Sequence, residues 1–388
     1  MGGAAKHLMQ LYHDHELSFK EINDIFQLAG TGQLQMFEKL DGMNTVFTWC
    51  PKIMSPKFAR NDGDIASGGM DRQLLAEKFR GREKVEAAFL ESYDALELGL
   101  RVVPVHVLEK IFDGGKRWVS AEILGPINPN IVHYDSKKLV LHKVRLHSHD
   151  ESFEHAFEDF VNLLPKINRP LKQLGWQMTG PTPVKLKSMD PEKLKLFHFS
   201  LRTLSVANNL VSGSTVSNYT WKNVFNYLIN RGMSNEAAVV VTDRIIGSKN
   251  CADLRELKKM FPNQAYLIDD VVKNDWNVFK KSQELLAKLV DEFASTLMRD
   301  AKSAHISDNE SEVLRLQNST RNESEELQKV NDLKVQTFLN EQLNLLGSPE
   351  NITTPIEGVV FTYRGKNYKF TGSFAAANRI LGYRRYGR

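Results

Sequence analysis

A lysine that precedes an acidic residue and a glycine is the feature of this sequence best suited to covalent chemistry. Lys39, Asp41 and Gly42 lie in the segment Phe-Glu-Lys-Leu-Asp-Gly-Met-Asn, which spans residues 37–44. A lysine amine is a nucleophile only when neutral, and neutrality at pH 7 costs about 4.6 kcal/mol from an ordinary pKa of roughly 10.4. Burial or a second cation must therefore lower the pKa of Lys39. Because glycine tolerates turn geometry that bulkier residues resist, we expect Asp41 and Gly42 to aim the lysine.

Further residues carry groups that suit nucleotide and metal binding. Arg60 lies in Phe-Ala-Arg-Asn-Asp-Gly, and Glu122 is a lone carboxylate in Trp-Val-Ser-Ala-Glu-Ile. Glu357 and Lys369 flank a β-type run near the end of the sequence. An arginine can hold a phosphate bidentately, and carboxylates suit hard metal ions and ribose hydroxyls. The alternative for each is an outward-facing residue of a loop or strand, and for Lys39 a solvated lysine at a hairpin turn.

Taken in order, these segments resemble the nucleotidyltransferase motifs of ATP-dependent DNA and RNA ligases and RNA capping enzymes. The similar elements are a Lys-x-Asp-Gly nucleophile motif, an arginine segment, a glutamate strand, a Glu-Gly strand and a closing lysine strand. The resemblance covers residues 18–146 and 350–371. It is closest to bacteriophage-type RNA ligases, because Glu38 directly precedes the lysine and Asn44 stands where DNA ligases usually have arginine. It implies an α+β fold with a nucleotidyltransferase core of antiparallel sheets.

The resemblance also implies roles for individual residues. Lys39 would attack the α-phosphate of ATP to give a lysyl-AMP intermediate, and Lys369 would be the second catalytic cation. Glu357 would bind the divalent ion, Mg²⁺ or Mn²⁺. The residues implied to bind the nucleotide are Glu38, Asp41, Gly42, Asn44, Arg60, Glu122, His142 and Lys366.

Two departures from the family pattern bear on these roles. The closing motif usually reads Lys-x-Lys, but here it reads Lys369-x-Thr371, so Lys366 becomes a candidate for the missing phosphate contact. The family usually stacks an aromatic side chain on the adenine from a strand after the glutamate strand. His142 and Tyr134 are the two candidates for that contact.

The function implied is an ATP-dependent RNA ligase that adenylylates a 5′-phosphate and seals it to a 3′-hydroxyl. Asn44 and the lack of a recognisable C-terminal OB-fold segment favour RNA over DNA as the partner. DNA ligation and capping-type nucleotidyl transfer remain alternatives, as does an inactive nucleotide-binding or structural protein on the same fold. Either solvated helix faces or nucleic-acid contacts would explain the basic residues Lys166, Arg169, Lys172, Lys185, Lys187, Lys193 and Lys195.

Composition fits a globular protein of this kind. Among 388 residues, 41% are hydrophobic and 25% charged, and the net charge of +4 permits a polyanionic partner. Only Cys50 and Cys251 are cysteines, without metal-ligand spacing, so reduced thiols are the default. No run approaches the roughly 20 apolar residues of a membrane span, and residues 1–16 lack a secretory signal. We therefore expect no membrane contact and a cytoplasmic protein, in the host cell if it is phage-encoded.

The pattern of apolar residues places these motifs on three parts of the chain. Residues 1–150 form the first part of the core, 151–349 an all-helical insertion, and 350–388 the closing strands with a basic tail. A capping box at Ser18 starts a helix, and strands on either side of Asp41-Gly42 predict a hairpin. Helices are also predicted over 70–98 and 105–112, and further strands over 118–124, 139–146, 356–363 and 367–371. The polar stretch 302–335 is either an exposed helix or a partly disordered linker.

Overall fold

The chain folds as a mixed α+β structure, seen in a computed structural model that describes residues 8–127, 130–142, 151–247, 252–268 and 275–386. The α+β class expected from the sequence is confirmed at this level. No helix within those ranges is both long enough and apolar enough to cross a bilayer.

The strands that the structure describes form two separate sheets. They are β1 (Met36–Lys39), β2 (Met43–Cys50), β3 (Ser55–Ala59), β4 (Val119–Leu124), β5 (Lys137–Leu141), β6 (Trp176–Thr179), β7 (Gly358–Tyr363) and β8 (Lys366–Phe370). The small sheet has the order β1-β7-β8 and is antiparallel throughout. The large sheet has the order β3-β2-β4-β5-β6 and is antiparallel except for the β5–β6 pair.

Helices surround both sheets. Those of the first half are α1 (Phe19–Gly30), α2 (Asp62–Ala66), α3 (Arg72–Phe79), α4 (Glu83–Leu100), α5 (Val105–Phe112), α6 (Glu151–Asn162) and α7 (Leu164–Leu171). Those of the second half are α8 (Pro191–Ala207), α9 (Val216–Asn230), α10 (Asn235–Gly247), α11 (Ala252–Met260), α12 (Asp275–Met298), α13 (Asn309–Gln328), α14 (Leu333–Leu346) and α15 (Phe374–Tyr386).

One face of the large sheet is buried under helices. Phe47 on β2, Phe112 on α5 and Phe160 on α6 pack with ring centroids 5.4 to 6.0 Å apart. Since successive strand residues alternate between faces, Asn44 and Glu122 lie on the opposite face. The apolar burial on one face therefore fixes which polar side chains the other face presents.

The small sheet also has one apolar face. Met36, Phe361 and Tyr368 lie side by side there and pack against residues of α1, α8 and α12. The opposite face of the same strands carries Lys39 and Lys369. The amphipathic pattern of β1 and β8 thus points both lysines away from this core.

Two further apolar cores lie among the described residues. One joins Leu40 and Leu124 to α13, α14 and α15, and so brings the end of the chain beside the Lys39 turn. The other lies among α9, α10 and α11 and forms around Val224 and Val241.

The predicted hairpin around Asp41-Gly42 is wrong. β1 pairs with β7 in the small sheet, whereas β2 pairs with β3 and β4 in the large one. The Asp41-Gly42 turn therefore carries the chain from one sheet to the other. Local turn chemistry could not show this, because the partners of β1 lie near the other end of the chain.

Other expectations were met in part. Ser18 and Glu21 form the predicted capping box at α1, and the 105–112 helix has the predicted bounds. The helix predicted over 70–98 is interrupted near Gly81, whose φ of +80° is not helical. The segment 151–349 is not all-helical, because it contains β6, which is hydrogen-bonded to β5.

The stretch 302–335 and the closing strands can both be compared with their predictions. The stretch 302–335 contains α13, which buries a stripe that includes Leu316 and Leu327, so this part is a packed helix. The two closing strands pair as a hairpin, but its loop is Arg364-Gly365, both at positive φ, and not the predicted Gly365-Lys366-Asn367 turn. Residues 143–146 of the predicted 139–146 strand lie outside the described residues.

Candidate active site

Lys39 ends β1, and its amine forms an ion pair with Glu357, the residue immediately before β7. The register of the small sheet places Lys39 directly opposite Gly358. The side chains of Lys39 and Glu357 keep 20% and 16% of their surface exposed. The pair is thus largely buried while remaining within reach of a small molecule.

The electrostatics around Lys39 are dominated by carboxylates. Burial alone would lower the pKa of the amine, but Glu357, Glu122 and Asp41 together raise it above its ordinary value. Beside these carboxylates Lys39 is therefore an ammonium ion. The structure does not show the lowered pKa expected from the sequence, because the group that pairs with the amine is an anion.

Asp41 holds the turn that follows Lys39. One of its carboxylate oxygens accepts hydrogen bonds from the N–H groups of Ile131 at 2.7 Å and Val132 at 2.8 Å. Its own N–H donates to the Tyr134 hydroxyl at 2.9 Å. Burial and the charge of Glu357 raise the pKa of Asp41 to about 7. Asp41 orients the turn, and these contacts occupy the carboxylate that the sequence assigned to the nucleotide.

Gly42 lets the turn approach the large sheet. A Cβ atom at this position would lie 2.5 Å from the Cγ of Glu122 and 2.8 Å from the carbonyl oxygen of Ile123. Contacts this short do not occur for real side chains, so position 42 accepts only glycine without a shift of β4. The approach brings Glu122 beside Lys39, which explains why Glu122 raises the pKa of the lysine.

The large sheet contributes four of the predicted nucleotide-binding residues. Asn44 lies directly opposite Glu122, and His142 Nε2 is 3.0 Å from a Glu122 carboxylate oxygen. Arg60 Nη1 donates to the carbonyl oxygen of Asn44 at 2.7 Å, and its guanidinium lies 5.2 Å from the centre of the Phe89 ring. Burial lowers the pKa of Arg60, and the charge of Glu122 opposes that change.

This face of the large sheet also carries buried oxygen atoms without a hydrogen-bond partner in the protein. They belong to Asn44, Thr48, Ser120 and Thr179. The strand registers place these four side chains on the face that carries Glu122. These four oxygens have almost no accessible surface, and each buried unsatisfied polar group costs about 1–3 kcal/mol.

Comparison with protein-family models, with curated proteins and with solved structures finds no match. The chemistry of the site therefore has to be argued from its own geometry. Lys39, Glu357 and Glu122 come from three strands or strand ends in two sheets, and the fold brings them together.

Lys369 lies in β8, the closing strand of the small sheet, and Thr371 comes directly after that strand. Lys369 lies opposite Val360, on the face that carries Lys39. Burial lowers the pKa of His13 and raises that of Asp291 to about 7; the charge of Lys369 adds to the first change and opposes the second. The Thr371 hydroxyl accepts a hydrogen bond from Gln10 at 2.8 Å. The position that usually carries the second lysine is thus occupied by a buried, neutral hydrogen-bonding group.

Glu38 and Lys366 lie outside the cluster. Glu38 faces the opposite side of β1, where it accepts hydrogen bonds from the Ser303 hydroxyl at 2.5 Å and from the Ala304 N–H at 3.3 Å. Lys366 donates to Asp14 at 3.0 Å and to Glu16 at 2.7 Å. Both side chains are engaged in contacts that hold neighbouring segments, so neither is available beside Lys39.

Tyr134 does not take the stacking role considered for it. Its residue surface is only 3% exposed, and its hydroxyl accepts the Asp41 N–H. His142 lies beside Glu122, and its side chain is 23% exposed.

The donor set fits one divalent ion only with help from a ligand. Among the described residues there is no group of three or more histidine, cysteine or acidic side chains that could hold a metal. Mg²⁺ usually binds one or two carboxylates together with phosphate oxygens. Glu357, with Glu122 nearby, meets that requirement.

Sequence reasoning missed the residues that hold this site together. Ile131 and Val132 act through backbone N–H groups, which no side-chain motif reveals. Ser120 is a small polar residue inside β4, and only the strand register shows that it lies on the same face of the large sheet as Glu122 and Asn44.

Proposed function

We propose that this protein is an ATP-dependent polynucleotide ligase of the covalent nucleotidyltransferase kind, with RNA as the favoured substrate. One observation carries the proposal. The Lys39 amine, the Glu357 carboxylate and the Glu122 carboxylate converge where the two sheets meet, although Lys39 and Glu357 lie near opposite ends of the chain.

In the first step, the Lys39 nitrogen forms a bond to the α-phosphorus of ATP. The bond from that phosphorus to the bridging oxygen breaks, and pyrophosphate leaves. The ammonium of Lys39 must lose two protons in total, one before attack and one on forming the lysyl-AMP phosphoramidate. Since only the neutral amine attacks, the ion pair with Glu357 has to be broken first.

Glu357 suits an exchange of partners. In the nucleotide-free protein it neutralises Lys39. A divalent ion on Glu357 and the phosphates would supply charge neutralisation for the leaving pyrophosphate. Freed from Glu357, Lys39 loses the largest interaction that raises its pKa. The same carboxylate thus keeps the lysine protonated at rest and allows its activation when the nucleotide binds.

The remaining residues bind and orient the nucleotide. Glu122, with its side chain 10% exposed beside His142, is the group suited to the ribose hydroxyls. Arg60, held on Phe89, and Lys369, on the Lys39 face, are the cations for the phosphates. These roles follow from the chemistry of each group.

The second and third steps would act on a polynucleotide. AMP passes from Lys39 to a 5′-phosphate as the N–P bond breaks, and a 3′-hydroxyl then attacks that phosphate and releases AMP. The exposed basic residues Lys166, Arg169, Lys185 and Lys193 stay candidates for contacts with the strand.

Sealing assays test the substrate class. Nicked or single-stranded RNA and DNA with a 5′-phosphate, incubated with the protein, ATP and Mg²⁺, should give a joined RNA product faster than a joined DNA product. Transfer of AMP to DNA alone would favour the DNA-ligase alternative. Absence of any covalent nucleotide on the protein, with ATP or with GTP, would favour an inactive nucleotide-binding protein.

A further inference from the structure

The Lys39 turn is held by a helix from the part of the chain that carries no recognisable motif. We infer that Glu312 and Arg315 on α13 are positioning residues, which hold the 130–134 loop and through it Asp41, so that Lys39 stays beside Glu357. The catalytic consequence rests on the proposed function, whereas the structural coupling does not.

The first link joins α13 to the loop. A carboxylate oxygen of Glu312 accepts the His133 N–H at 2.8 Å, and Arg315 Nη2 donates to the Ile131 carbonyl oxygen at 2.6 Å. Arg315 also donates to Glu312 through Nε and Nη2, at 2.7 Å in both cases. Glu312 is only 7% exposed, so these charge-assisted bonds are shielded from water.

The second link joins the loop to the Lys39 turn. The N–H groups of Ile131 and Val132 donate to Asp41, and the Asn130 side chain donates to the Gly42 carbonyl oxygen at 2.5 Å. The loop therefore holds both residues of the turn.

A single peptide group transmits the coupling. The Ile131 carbonyl, bound by Arg315, and the Val132 N–H, bound by Asp41, belong to the same planar unit. Fixing its oxygen fixes the direction in which its N–H points. Hydrogen bonds at the two ends of one peptide group also polarise each other, so loss of one weakens the other.

An apolar contact region reinforces the same connection. Leu40, between Lys39 and Asp41, lies in one core with Leu316, which follows Arg315 on α13. The helix thus supports the turn through packing and through hydrogen bonds. We call Glu312, Arg315 and the 130–134 loop the clamp. Two of the groups assigned to the nucleotide, Arg60 and Asn44, bond to each other at the large sheet and are not part of it.

Because the residues that hold the Lys39 turn are separate from those assigned to the nucleotide, we predict a specific kinetic effect. Loosening the clamp should displace Lys39 while leaving the nucleotide-binding surface intact. A displacement of about 1 Å in a reacting group can cost on the order of 100-fold in rate. We therefore expect a lower rate constant for lysyl-AMP formation, by about 10- to 100-fold, with the KM for ATP changed less than about twofold.

The experiment compares Arg315→Gln and the milder Glu312→Gln with a matched control on the same helix. Arg321→Gln removes an arginine that pairs with Glu350 on the exposed side of α13, away from the loop. Hydrogen exchange in the full-length, nucleotide-free protein reports the coupling. Exchange at the amides of Ile131 and Val132 should speed up in the two clamp variants and not in the control. Unchanged exchange there would overturn the inference.

Single-turnover labelling with ATP then tests the positioning role. Losses from Arg315→Gln and Asp41→Asn should not multiply in the double variant, because both act through the same peptide group. Multiplying losses, or an equal loss in Arg321→Gln, would overturn the role. If the wild-type protein takes no label, the proposed function fails, and amide exchange alone decides whether the clamp exists.

Discussion

The ammonium group of Lys39 is paired with the carboxylate of Glu357 across the β1–β7 contact of the small sheet. This pairing raises the pKa of the residue that would have to act as a neutral nucleophile. In the proposed reaction this ion pair has to be broken before Lys39 can attack.

Replacement of Glu357 by glutamine should lower the pKa of Lys39. Burial lowers this pKa, and Glu357 is the anion that raises it most. Acylation of Lys39 by an amine-reactive reagent, followed by mass spectrometry across a pH series without nucleotide, measures this change. Reaction at Lys39 should begin at lower pH than in the wild-type protein. Glu16→Gln, which removes a partner of Lys366 instead, serves as the control. Identical pH curves for Lys39 in all three proteins would contradict the electrostatic account.

Replacement of Gly42 by alanine should destabilise the site through steric overlap with β4. The added methyl group would meet Glu122 at 2.5 Å and a backbone oxygen of Ile123 at 2.8 Å. Overpacking of this kind costs about 1–3 kcal/mol, measurable as a lower free energy of unfolding in urea, and nucleotide labelling should fall as well. Gly180→Ala is the matched control, since its Cβ would meet only Val161 at 3.5 Å. Equal stability of the two variants would argue against a close approach at Gly42.

The two lysines of the closing hairpin should differ in their effect on labelling. Lys369 lies on the sheet face that carries Lys39, whereas Lys366 is bound to Asp14 and Glu16 elsewhere. We expect Lys369→Ala to reduce the rate of nucleotide labelling at least tenfold and Lys366→Ala to leave it within about twofold. The comparison uses rates at saturating ATP. A larger loss in the Lys366 variant would instead favour Lys366 as the substitute for the missing second lysine of the closing motif.

The buried Asp41 carboxyl should make stability depend on pH. Its pKa is about 7 in the folded protein against 3.8 ordinarily, so the folded state binds a proton more tightly than the unfolded chain. The resulting stabilisation is fully present below about pH 4 and is lost as the pH rises through 7. Relative to Asp41→Asn, the wild-type free energy of unfolding should fall over this interval by up to about 1.4 kcal/mol per pH unit. Urea unfolding between pH 5 and pH 8 measures the difference, and a difference that does not vary with pH would refute the assignment.

Sequence patterns predicted the helices, strands and turns themselves better than the elements with which each of them pairs. The capping box of α1 and the closing hairpin depend on neighbouring residues, and both form. The Asp41-Gly42 turn looks like a hairpin locally, but Asp41 is bound by Ile131 and Val132 and Gly42 contacts Glu122. Such long-range contacts decide between a hairpin and a crossover, and no local pattern contains them.

In the candidate site, too, local features were predictable and long-range contacts were not. Chemical type and order along the chain identified Lys39, Glu122 and Glu357, which the structure brings together. Glu38 was assigned to the site because it precedes the lysine, yet strand alternation turns it to the other face. The role of the helix that holds the loop could not be predicted, because Arg315 acts on a backbone carbonyl.

Covalent labelling tests the central claim most directly. The protein is incubated with ATP labelled at the α-phosphate and a divalent ion, denatured, digested and mapped by mass spectrometry. We predict AMP on the peptide that contains Lys39, and no label in the Lys39→Ala variant, which should still unfold cooperatively. Label that persists in that variant, or that maps to another lysine, would contradict the assignment of Lys39 as the nucleophile.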